Sequence, residues 1–81
     1  MERNEILEQM QPIFRDVLDN EEIKLEYETT AGDIEEWDSL SQIQLVLALQ
    51  NHFGIKMTAK EIMQCDNIGD MVDYIRRKLN D

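Results

Sequence analysis

Ser39, Cys65 and His52 are the side chains here that could attack a substrate or begin a transition-metal site. A serine nucleophile needs a base within hydrogen-bond reach. His52 lies thirteen residues further along the same predicted helix, about 20 Å away at the helical rise per residue. That separation rules out a catalytic triad. Cys65 has only the same histidine to draw on and no evident activating setting, so it reads as a small buried side chain. One cysteine and one histidine are too few for a zinc site. Carboxylates are plentiful, but none follow the Asp-x-Asp-x-Asp-Gly spacing with a distant Glu that an EF-hand requires. Two roles remain for Ser39: to cap a helix, or to be modified.

Asp38-Ser39-Leu40 marks the sharpest break in the chain. From Ser39 to Phe53 there is no Asp, Glu, Lys or Arg, although 32% of all residues are charged. At 100° per residue this stretch carries two apolar arcs. Leu45, Val46, Leu49 and Phe53 form one, while Leu40, Ile43 and Leu47 form the other. One arc suffices to face a core. The second is extra apolar surface, to be covered by the third helix or the long loop, or by a partner. Asp38 or Ser39 can act as N-cap, and Ser39-x-x-Gln42 has the form of a capping box. The free N–H groups and dipole at such a start suit an anion, including a phosphate attached to Ser39 itself. Gly54 is placed to end the helix, with Ile55 folding back on Leu49.

The remaining chain supplies the elements that hold this helix. Eighty-one residues make one domain, 1–81, near the size at which a single core only just suffices. A single cysteine excludes an internal disulfide and favours a reducing compartment. The N-terminus lacks the order of a signal peptide and no apolar run approaches a membrane span, so a cytoplasmic monomer is expected. A net charge of -10 argues against nucleic acid as a partner. Residues 1–20 carry -3, residues 21–38 carry -7, and residues 54–81 balance to zero. The acidity just before Ser39 is either solvated, solubilising charge or an attraction for a basic partner surface.

Ile6, Leu7, Met10, Ile13, Phe14, Val17 and Leu18 form the stripe of a first helix, in phase on both sides of Pro12. The proline therefore predicts a kink or a frayed first turn, and not two separate elements. Ile23, Leu25 and Tyr27 alternate with polar residues, but no pairing strand offers itself. An extended loop over 19–38, pinned by those three and by Ile34 and Trp37, is the better reading. Thr58-Ala59-Lys60-Glu61 has a capping-box pattern opening a very short helix, expected to turn Ile62 and Met63 inward. Asp66-Asn67 offers caps for a last helix with the stripe Ile68, Met71, Val72, Ile75 and Leu79. The fold class is all-α: a four-helix bundle with a long first loop and a short third helix.

Glu36-Trp37-Asp38-Ser39-Leu40, continued by Ile43, Leu45, Val46, Leu49, Phe53 and Gly54-Ile55, resembles the modification-site helix of acyl carrier proteins. The resemblance extends in register over nearly the whole chain. It implies that Ser39 receives 4′-phosphopantetheine from coenzyme A through a separate magnesium-dependent phosphopantetheinyl transferase, with Asp38 and Leu40 as the flanking motif. The distal thiol of that arm would hold an acyl group as a thioester, which places the chemistry in the arm and in partner enzymes. The chain itself is then not an enzyme. By the same resemblance, Ile43, Leu47 and Gln44 lie on the face read by partners, and an acyl chain inserts between the helices.

One departure from the family matters. Carriers of fatty-acid synthesis usually place acidic residues along this helix, whereas here stand Ser41, Gln44, Gln50 and Asn51. Either Glu35, Glu36 and Asp38 in the acidic loop supply the attraction, or partners dock through apolar and amide contacts. A carrier dedicated to a polyketide-like, lipid or surface-glycan pathway fits this pattern better than the housekeeping fatty-acid carrier. An aminoacyl carrier of the D-alanyl type, with a similar uncharged Gln-containing helix, is the neighbouring alternative. The loading enzyme separates the two: an acyltransferase or acyl ligase, or an amino-acid-specific adenylating ligase. An unmodified interaction module with the same fold is the third reading.

Overall fold

The computed structural model describes residues 2–80, and among them every regular element is helical. Helix α1 spans Arg3–Val17 and buries Ile6, Met10 and Phe14 on one stripe. Pro12 lies within it without dividing it. Both Pro12 and Glu8, whose carbonyl loses its helical donor, face solvent, so water can satisfy that oxygen. The first turn is tied rather than frayed, since the Glu5 carboxylate accepts from the Glu2 N–H at 3.1 Å.

The loop that follows is extended yet pairs with no strand. In its first half, the backbone of Ile23 and Leu25 pairs with side chains of α1. The Leu25 N–H donates to Gln11 Oε1 at 2.9 Å, Gln11 Nε2 donates back to the Leu25 carbonyl at 3.2 Å, and Arg15 Nε donates to the Ile23 carbonyl at 2.7 Å. These bonds supply what a neighbouring strand would, and they let Ile23 and Leu25 turn into the core. A single 3₁₀ turn, Ala31–Asp33, interrupts the loop before Ile34 re-enters the core.

Helix α2, Ser39–Phe53, buries Leu45, Val46 and Leu49 and ends at Gly54 in the left-handed region, φ 67°. Helix α3, Ala59–Met63, is opened by Thr58, whose Oγ1 accepts from the Glu61 N–H at 3.1 Å. Helix α4, Ile68–Asn80, buries Ile68, Met71, Val72 and Ile75. At its start, Asn67 Oδ1 accepts from the Asp70 N–H at 2.9 Å. Helix α1 packs on both α2 and α4, while α3 packs on α2. The expected four-helix bundle with a long first loop and a short third helix is the architecture present.

The inward reading of Met63 needs correcting. Its side chain is 75% exposed whereas Ile62 is 3% exposed. Adjacent helical residues point about 100° apart, so a five-residue helix that aims Ile62 at the core turns Met63 outward. Cys65 is half-buried rather than buried, and its Sγ lies 3.7 Å from the Glu61 carbonyl.

Candidate functional site

The start of α2 is fastened by Asp38 rather than by Ser39. Asp38 has extended backbone geometry, and its Oδ1 accepts from the Ser41 N–H at 2.8 Å. Ser41 Oγ lies 3.0 Å from the same oxygen and 2.9 Å from the Glu36 carbonyl. The expected Ser39–Gln42 capping box does not form. With Asp38 as the cap, Ser39 becomes the first helical residue. Gln42 is engaged elsewhere: its Oε1 accepts from the indole N–H of Trp37.

The Ser41 N–H and hydroxyl hold the Asp38 carboxyl below the usual aspartate range. A depressed folded-state pKa means the ionised group stabilises the fold above the unfolded-state pKa. That contribution disappears as pH falls through the folded-state value. Asp38→Asn is therefore expected to flatten part of the acid limb of the stability–pH curve while keeping an acceptor for the helix start. Urea midpoints measured across the acid range check this. An acid limb unchanged from the parent would assign the acid sensitivity to other carboxyls, Glu61 among them, which is lowered by Tyr74 and Thr58.

Freed from capping, Ser39 is exposed, and no hydrogen bond among the described residues engages its hydroxyl. It stands on the rim of a groove of about 570 Å³ between α2 and α3. Ile43, Ile62, Met63 and Met71 make the groove largely apolar, with Trp37 along its wall. Cys65 also lines it, and burial followed by the Asp70 and Asp66 carboxylates pushes its thiol pKa up, which disfavours the thiolate. His52, at the far end of α2, has Nε2 2.8 Å from Gln9 Oε1.

The second apolar arc of α2 faces solvent. Leu40 is 67%, Ile43 53% and Leu47 55% exposed; with Met63 they are the exposed large hydrophobic side chains among the described residues. Gln44, next to Ile43 in the helix, is exposed as well. Glu35 and Glu36 are exposed just before the helix, and the Glu36 carboxylate accepts from Asn20 Nδ2 at 2.8 Å. The sequence places Gln42 at the site with a different partner, Ser39 in place of Trp37, and does not assign Ser41 its part in completing the Asp38 cap. The Asp38-x-x-Ser41 spacing was the available signal for that part.

The helical bundle thus sets an exposed serine at a helix start beside an apolar groove and an exposed apolar arc. The family model described as "Phosphopantetheine attachment site" matches residues 8–75. The acyl carrier protein of Rubrobacter xylanophilus is 31% identical over 75 residues, covering 93% of each chain. That of Thermosynechococcus vestitus is 29% identical over 79 residues, covering 98% of each. The solution NMR structure of a holo acyl carrier protein from Geobacter metallireducens superposes with a TM-score of 0.85 at 41% identity, covering 93% of this chain and 86% of that one. The chain belongs to the phosphopantetheine-attachment family of acyl carrier proteins. It is a carrier and not an enzyme, and its cofactor is covalent phosphopantetheine. The residues present fit that group: a reachable hydroxyl, a helix start favourable to a phosphate, and an apolar groove alongside.

Proposed function

We propose that this chain is a discrete acyl carrier whose 4′-phosphopantetheine arm is attached at Ser39. The observation that carries the proposal is the position of Ser39, exposed and unengaged at the start of α2 on the rim of the apolar groove. When bound, the group supplies a distal thiol on which an acyl cargo rides as a thioester. Asp38 holds the first helical turn in place, and Leu40, beside it, begins the docking surface. Ile43, Gln44 and Leu47 present that surface to partners, while Glu35 and Glu36 supply negative charge at its edge.

The partners are a phosphopantetheinyl transferase, an acyl-loading ligase or acyltransferase, and later enzymes of a lipid, polyketide-like or surface-glycan pathway. The apolar part of the groove lining, Ile43, Ile62, Met63 and Met71, suits the hydrocarbon of an acyl cargo. The chain works as a monomer in a reducing, cytoplasmic setting, in keeping with its single cysteine.

The test is intact-protein mass after incubation with coenzyme A, magnesium and a broad-specificity transferase. The apo chain is expected to gain one phosphopantetheine, and folded Ser39→Ala none. A gain retained by Ser39→Ala would place the attachment on another side chain. No gain by the folded apo chain with two unrelated transferases would favour an unmodified interaction module.

A further inference from the structure

Trp37 precedes Ser39 by two residues and is held from several sides. Its N–H donates to the Ile34 carbonyl at 3.2 Å, and its indole N–H donates to Gln42 on the first turn of α2. The ring stands edge-on to Phe14, with centroids 5.2 Å apart and planes at 79°. Phe14 is fully buried and does not line the groove, whereas Trp37 does. The indole therefore stands between the groove beside Ser39 and the aromatic centre of the core.

Of the other apolar sides of the groove, Ile43 and Ile62 are branched, Ile62 being buried, and two differ from Trp37 in kind. Met63 and Met71 have unbranched, adaptable side chains that can shift around a ligand. Trp37 cannot shift without giving up both its contact with Phe14 and its bond to Gln42. We propose that Trp37 is a specificity-determining wall: it stops an acyl chain entering from Ser39 at the surface of the core, and so sets the length of cargo the bundle shelters. The proposal rests on the reading of Ser39 as the attachment site. A chain shorter than the wall gains shelter with each methylene that enters, about fourfold per group in the sheltered-to-exposed ratio. A longer chain leaves its excess methylenes in water.

Trp37 is the chain's single tryptophan, so its emission reports on itself. The full chain would be loaded with butyryl-, octanoyl- or hexadecanoyl-phosphopantetheine from the matching acyl-coenzyme A, and intact mass would confirm each product. Relative to the holo form, emission is expected to move to shorter wavelength, and acrylamide quenching to fall, once the cargo is long enough to reach the indole. Thioester hydrolysis should slow about fourfold per added methylene up to that length and then level off. In Trp37→Ala the levelling moves to longer chains, whereas Trp37→Phe, which keeps an aromatic edge for Phe14, stays near the parent.

Emission and quenching identical in the holo and all loaded forms would overturn the proposal, and this result needs no variant to fold. An unchanged length profile in folded Trp37→Ala would overturn the wall even if emission responds. Absence of any mass gain would instead remove the Ser39 reading beneath it.

Discussion

Phe14→Ala is expected to cost about 3–5 kcal/mol, against a total stability on the order of 4–12 kcal/mol for a chain of this length. Phe14 is among the largest fully buried side chains, and it lies where α1 meets the loop that leads to Ser39. Truncation removes its transfer free energy and leaves a cavity that Met10, one turn away, and Trp37 can fill only in part. The edge-to-face contact with Trp37 adds about 0.5–1.5 kcal/mol beyond area burial. Phe14→Leu keeps most of the volume and should lose far less, on the order of 1 kcal/mol. Urea unfolding followed by Trp37 emission measures both, with the native signal of Phe14→Ala moved to longer wavelength. A loss below about 1 kcal/mol for the alanine variant would show that this position is not the centre of the core.

The same contact explains what the sequence could and could not convey. Helix stripes depend on periodicity, a local property, so Ile6-Met10-Phe14, Leu45-Val46-Leu49 and Ile68-Met71-Val72-Ile75 were all readable and all are buried. The exposed arc of Leu40, Ile43 and Leu47 was readable for the same reason, as apolar surface in excess of one core face. The path of the long loop was not readable, because it depends on pairings between side chain and backbone that have no period. Gln11 and Arg15 look like ordinary polar positions on a helix, yet they hold the backbone of Leu25 and Ile23. At the site, the Asp-Ser-Leu pattern marked the right helix start but left the cap ambiguous between Asp38 and Ser39. That choice follows from where Ser41 and Gln42 find partners: one at Asp38, the other at Trp37. Met63 was misjudged because a helix of one turn offers too few residues for a wheel to define its inner face.

Gly69→Val is expected to cost about 2–4 kcal/mol, combining overpacking with the loss of a backbone hydrogen bond. Gly69 sits in the first turn of α4, where the loop seals the helix start: its N–H donates to the Tyr27 carbonyl at 2.7 Å, and the Ile68 N–H donates to the Thr29 carbonyl at 2.8 Å. A Cβ at this position would lie 3.0 Å from that same Tyr27 oxygen and 3.2 Å from Asn67 Oδ1. The obstacle is backbone, already drawn close by a short hydrogen bond, so it can retreat only by lengthening the bond. For alanine the retreat is a few tenths of an ångström, and the gain in helix propensity, about 1 kcal/mol, nearly offsets it. Valine adds two γ carbons and exhausts that margin. The consequence reaches the site through the chain itself, since the segment displaced from α4 continues through Trp37 to Ser39. Slow amide exchange at Ile68 and Gly69 in the parent, lost in Gly69→Val together with stability, would establish the seal. Valine tolerated within about 0.5 kcal/mol, as at an ordinary surface position, would show that the loop can move away freely and that Ser39 is positioned by α2 alone.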